Sequence, residues 1–406
     1  MSYNTYTLKN GIRLIHKPDA SNVIYCGIAI NAGTRDENPD EQGMAHFVEH
    51  MLFKGTPKRN VKQIINRLED IGGEINACTT KEETFIYSII LAEYMERSVE
   101  LMADIVFNSA FPSKEIEKEI DVVLDEILSY NDNPSELIFD DFEELLFPND
   151  AIGRNILGTE KSVQQFDKAK IADFIERNYH SEEMVFFSLG NVDFKRIVRW
   201  AEKYLGKYPA SSRTNSRIYP QAYKAQQKQI RKETFQIHSV CGNRAYHLHH
   251  ADRLAFHFLN NILGGPGMSS LLNMSLRENN GLAYNVESNY TPYSDTGVFA
   301  IYFGCDEKNR KRCEHLIRKE LEKLQQKTIS PAKLTNYKRQ IIGQLAIANE
   351  NRESFALGMG KSFLHTDELE TLPQIQKKLE AVSATKLTEI ANEILDFQTL
   401  TTLVYD

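Results

Sequence analysis

His46, Glu49 and His50 fall within the run HFVEHMLFKGT, residues 46–56, and their types and spacing suit metal-assisted hydrolysis. On a helix, two histidines four apart project from one face about 5–6 Å from each other, a good bite for one divalent ion. Neutral imidazoles favour zinc. Glu49, three residues after His46, flanks the same face, where a carboxylate can take a proton from metal-bound water and later hand it to a leaving amine. The order His-x-x-Glu-His reverses the commoner His-Glu-x-x-His, and either serves this chemistry. The plainer alternative is an amphipathic helix that happens to carry imidazoles. The isolated His16, His180, His238, His257, His315 and His365 read that way, as core or surface residues.

A catalytic zinc site needs a third protein ligand and an open position for water. The run KEIEKEIDVVLDEILSY (114–130) offers Glu119 and Glu126, seven apart and so on one helical face two turns from each other. Ile120, Val123, Leu124 and Ile127 supply its buried stripe, which sets both glutamates near the packing seam. Spacing leaves Glu115, Glu119 and Glu126 all open as the ligand. Two other stretches carry no chemistry. LGGPGMSS (263–270) lacks the Gly-Lys-Ser/Thr of a phosphate loop and reads as a tight helix entry. The adjacent His249 and His250, if on a strand, point to opposite faces and cannot share a metal.

The elements that must position these residues come in two sets, written in one order. The first half opens with strands in YTLKNGIRLIHKP and VIYCGIAINAGTR, then the motif helix and a second helix, VKQIINRLEDIGG, ending at a Gly pair. A hairpin (EINACTTKEETFIYSIIL), long helices stopped by Pro134 and a closing strand (MVFFSLGNV) follow. The second half repeats that order loosely. Strands in TFQIHSV and NRAYHLHH precede the helices RLAFHFLNNILGG and SSLLNMSLREN, strands follow in GLAYNVESNYTPYSDTGVFAIYF, and more helices lead to a final strand, TLTTLVYD. Strands that open and close each half with helices grouped between them predict an α+β fold. Its two similar sandwich-like domains have mainly antiparallel sheets with the helices on one face. The predicted divisions are a zinc-binding domain over 1–208, a polar linker over 209–230 and a second domain over 231–406.

Composition agrees with a folded globular chain. Of 406 residues 41% are hydrophobic and 26% charged, and the net charge is −8 with no basic run, which argues against nucleic acid as partner. No apolar run reaches membrane-spanning length, and the N-terminal stretch lacks a secretory or transit pattern. Five scattered cysteines with no CxxC argue against disulfides and zinc-thiolate sites, so a cytoplasmic setting is expected.

These residues together resemble the inverted-motif zinc metallopeptidases of the pitrilysin or insulinase type, family M16, in the short two-domain form of the processing-peptidase subunits. NAGTRDENPDEQGMAHFVEHMLFKGT resembles the family's signature region, GGEINACTTKEETFIY its peptide-pairing edge strand, and LRENNGLAYNV a segment of its second half. The resemblance implies one Zn²⁺ per chain held by His46, His50 and Glu126, with Glu49 as general base and Glu119 supporting the ligands. It places Asn76, Ala77, Arg277 and Tyr284 against the peptide, with Tyr284 also reaching the reacting carbonyl. It further implies a homodimer in which Arg277 and Tyr284 of one subunit face the zinc of the other, acting on extended peptides. The competing expectation is a non-catalytic scaffold or partner subunit of the same fold.

Overall fold

The computed structural model describes residues 3–214, 216–232 and 234–406. Two compact units emerge. One comprises residues 1–128, 154–218 and 348–369, the other 129–153, 219–347 and 370–406.

The first unit is built on a six-stranded sheet: β1 (Asn4–Thr7), β2 (Arg13–Pro18), β3 (Val23–Ile30), β4 (Glu74–Thr79), β5 (Thr84–Leu91) and β6 (Met184–Gly190). Their order is β1-β2-β6-β3-β5-β4, antiparallel except for β2 with β6. β3 and β6 are buried along nearly their whole length, which is why VIYCGIAI and MVFFSLG read as apolar runs rather than alternations. One face carries the helices Met44–Met51, Val61–Glu69, Met95–Asn108 and Ser113–Asn131, packed over Leu14, Cys26, Ile28, Ile30 and Ile86. The opposite face holds Ile15, Ala29, Phe85, Val185 and Phe187, covered by Ala356, Met359 and Phe363 of the helix Arg352–Thr366.

The second unit repeats the plan with five strands: β7 (Gln227–Ile230), β8 (Ile237–Arg244), β9 (Ala283–Pro292), β10 (Gly297–Cys305) and β11 (Thr401–Tyr405), ordered β7-β11-β8-β10-β9. One face packs Phe299, Ile301 and Phe303 against the helices Arg253–Gly264, Arg310–Gln326 and Ala384–Ile394. Val240, Ala300, Tyr302 and Tyr405 on the other face meet Ile138, Phe142 and Leu146 of the helix Pro134–Leu146.

The α+β class, the duplicated plan and the mainly antiparallel sheets are as the sequence predicts. The compact units do not follow the contiguous divisions 1–208, 209–230 and 231–406. The helix of the first sequence half, Pro134–Leu146, lies on the second sheet, and that of the second half, Arg352–Thr366, lies on the first. An apolar helical stripe says that a face is buried, not against which sheet. The tract 209–230 ends in β7, a short, largely exposed edge strand paired in parallel with β11, whose polar sequence QKQI hides it. NRAYHLHH is a strand only to Arg244, and His249 and His250 lie beyond it. All five cysteines are free, and among the described residues no helix is long and apolar enough to cross a membrane.

Candidate metal centre

The helix Met44–Met51 starts at Gly43, whose φ of +90° suits a residue without Cβ; an added Cβ would sit 2.5 Å from the Leu157 carbonyl oxygen. Glu37, buried, accepts from the Gly43 amide (3.0 Å) and the Ala45 amide (2.9 Å), satisfying donors that the helix start leaves open. Burial pushes the Glu37 carboxyl well above its ordinary range, against the pull of those two amides. Met44, Phe47, Val48 and Met51 anchor the helix in the core, so the face bearing His46, Glu49 and His50 is held rigidly.

His46 and His50 lie with ring centroids 4.5 Å apart, and each Nε2 is 3.8 Å from Oε2 of Glu126 on the helix Ser113–Asn131. One ligand atom from each of the three lies within 4.8 Å of the others. Two imidazole nitrogens and a carboxylate oxygen make a cluster that could hold a divalent metal ion, and donors of these types suit zinc. His50 Nδ1 is 2.8 Å from Glu119 Oε1, which directs the Nδ1 proton to that carboxylate and leaves Nε2 as the lone-pair donor. Lys54 holds the other Glu119 oxygen at 2.5 Å. Glu115 turns away to Lys118 at 2.7 Å. The choice that spacing leaves open is made by geometry: Glu126 faces both imidazoles and Glu119 stands behind one.

Burial and neighbouring charge act on these groups in different directions. Burial, with the neighbouring His50, draws His46 down to about 3, so its imidazole is neutral at neutral pH. Burial also lowers His50, but the Glu119 hydrogen bond and the Glu49, Glu119 and Glu126 charges outweigh it and raise the net value. For Glu119, burial is overcome by the bonds from His50 and Lys54, and its carboxyl is lowered. Burial raises Glu49, opposed by a hydrogen bond that the Thr79 hydroxyl donates to Oε2 at 2.7 Å.

Thr79 ends β4, the strand that carries Asn76 and Ala77. β4 pairs with β5 (Asn76 with Tyr87, Ala77 with Ile86), and among the described residues no strand pairs with its other side. The turn before the His46 helix is locked to the β4–β5 turn: Arg35 bonds Glu82 at 2.6 Å, and the Arg35 amide donates to the Lys81 carbonyl at 2.8 Å. Arg277 and Tyr284 belong to the second unit. Arg277 lies on the π-helical turn Asn273–Glu278, its Nε 3.9 Å from the Glu278 carboxylate. Tyr284, 64% exposed near the start of β9, donates from its hydroxyl to Asp306 at 3.2 Å. Sequence reasoning missed Glu37, Lys54 and Thr79. An acid ahead of a helix start is a detectable signal for the first; the other two act through tertiary contacts that no local pattern announces.

Four of the six isolated histidines find ordinary partners: His16 with Ser188, His238 with Tyr302, His180 with the Arg177 carbonyl and His365 with Glu83.

Comparison with known proteins gives a consistent picture. Residues 13–160 match the family described as insulinase (peptidase family M16), and residues 165–341 match that described as peptidase M16 inactive domain. The uncharacterized zinc protease YmxG of Bacillus subtilis is 32% identical over 391 residues, covering 96% of this chain and 95% of that protein. An uncharacterized zinc protease of Rickettsia bellii is 32% identical over 394 residues, covering 97% and 95%. The crystal structure of a protease from Helicobacter pylori matches with a TM-score of 0.90 at 22% identity, covering 100% of this chain and 99% of that one, a likeness of fold.

Proposed function

Because the chain belongs to peptidase family M16, the insulinase family, we propose that it is a zinc-dependent endopeptidase cleaving extended peptides or unstructured polypeptide segments. The observation that carries this is the convergence of His46, His50 and Glu126 with Glu49 on the same rigid helix. Zinc held by these donors would polarise the scissile carbonyl and bring the pKa of a water to about 7. Glu49 takes the proton from the attacking water and delivers it to the departing nitrogen. Glu119 keeps the His50 ring in the orientation and tautomer that ligation needs. The peptide adds to the free side of β4 as a further strand through main-chain hydrogen bonds, which selects extended chains over folded ones. Asn76, Ala77 and Arg277 contact it, and Tyr284 donates to the carbonyl oxygen as it gains charge.

By the family resemblance the working form is a homodimer enclosing a chamber, with Arg277 and Tyr284 of one subunit serving the zinc site of the other. Five free cysteines support a reducing, cytoplasmic setting. The alternative of a non-catalytic scaffold draws support from the inactive-domain description, but the residues it covers, 165–341, contain none of the four motif residues. A quenched fluorescent peptide assay decides between them. Wild type is expected to cleave, a chelator to abolish cleavage, and Glu49→Gln to lose about 10²–10⁴-fold in rate while keeping its zinc. A pure wild type that holds zinc yet cleaves nothing in a broad peptide library would establish the scaffold.

A further inference from the structure

Two elements meet at Glu49, and each has anchors of its own besides the Arg35–Glu82 link between the turns that flank them. The His46 helix is fixed at its start by Glu37 and by its apolar face. β4 is fixed at its end, where Thr79 pairs with Thr84 and the Thr80 amide donates to the Glu83 carbonyl at 2.8 Å. Closing that turn, the Thr80 hydroxyl accepts from the Glu83 amide at 3.0 Å. Between them runs one side-chain hydrogen bond, from the Thr79 hydroxyl to Glu49 Oε2 at 2.7 Å.

We propose that Thr79 is a positioning residue for hydrolysis: its hydroxyl orients the Glu49 carboxylate and ties that orientation to occupation of the β4 edge by peptide. The inference rests on the reading of Glu49 as base and β4 as the peptide-pairing strand. The terminal torsion of a glutamate is broad and roughly two-fold, so a carboxylate gripped by nothing spreads over many orientations. With Oε2 held by Thr79, Oε1 is the oxygen left to take a proton, and the plane of the group is set. Thr79 is not one of the three metal donors, so it acts on proton transfer without acting on ligation. A peptide strand bonded to the main chain of β4 stiffens the strand that carries Thr79, so the base is best aligned when substrate is seated.

The test compares Thr79→Val, which keeps the shape and loses the donor, with Thr79→Ser, which keeps the donor. Steady-state cleavage of a quenched fluorescent peptide is read alongside zinc content and melting temperature. Thr79→Val is expected to lower kcat by roughly 10–100-fold, the scale of a misplaced catalytic group, with KM and zinc stoichiometry unchanged. Thr79→Ser is expected to restore most of kcat. Wild-type kcat in Thr79→Val while Glu49→Gln is inactive overturns the inference alone. Equal losses in the Ser and Val variants overturn it too, since packing would then explain both. Activity in Glu49→Gln overturns the reading beneath it. Should Thr79→Val not fold, Thr79→Ala takes its place against Thr79→Ser, and equal kcat in that pair overturns the inference.

Discussion

Glu119 divides its two oxygens between His50 Nδ1 and Lys54 Nζ, and under the proposed function this division gives it the part of a support rather than of a ligand. Glu119→Gln keeps the size but cannot accept from both partners in the same way. It is expected to weaken zinc binding by roughly 10–100-fold, measured by chelator competition, with the melting temperature of the metal-free protein little changed. The clustering of His46, Glu49 and His50 was legible in the sequence because their relation is local, four residues along one helix. The seven-residue offset brought Glu119 and Glu126 to one face but could not rank them, since the ranking depends on where a second helix crosses the first. Thr79 and Lys54 were illegible for the same reason, as their partners lie 30 and 65 residues away in the chain.

Among the elements, the His46 helix has the most demanding start. Gly43→Ala must hold an alanine in left-handed backbone against the Leu157 carbonyl. A loss of about 2 kcal/mol or more is expected in thermal or denaturant unfolding. The helix Arg352–Thr366 is tied to the β4–β5 turn through Glu83, which takes His365 Nε2 at 2.6 Å and Lys361 Nζ at 3.0 Å. Burial alone would push the Glu83 carboxyl up; the His365 hydrogen bond and the Lys361 charge outweigh it and bring it down to about 2. A carboxyl lowered on folding adds stability above its unfolded value near 4.5 and loses it as pH falls toward 2. Wild type should therefore exceed Glu83→Gln by roughly 3 kcal/mol at pH 7, and chemical unfolding should show that gap narrowing below pH 4.5. The strands and most helices could be read from periodicity. The sheet covered by Pro134–Leu146 or by Arg352–Thr366 could not, because amphipathic pattern carries no address.

For the whole molecule, the proposed dimer makes a sharp prediction. If each site takes Tyr284 from the opposite subunit, a mixture of Glu49→Gln and Tyr284→Phe chains forms dimers with one intact site. Random re-association should then recover about a quarter of wild-type activity from two nearly inactive parents. Recovery of none after verified exchange of subunits would rule out shared sites. The helix that closes the outer face of the first sheet also sets a timetable for biosynthesis. When β6 leaves the ribosome at Gly190, Ile15, Ala29, Val185 and Phe187 still lack their cover, which arrives only with residues 352–366. At ordinary elongation rates the nascent polypeptide carries that oily surface for roughly ten to thirty seconds, a natural window for chaperone capture.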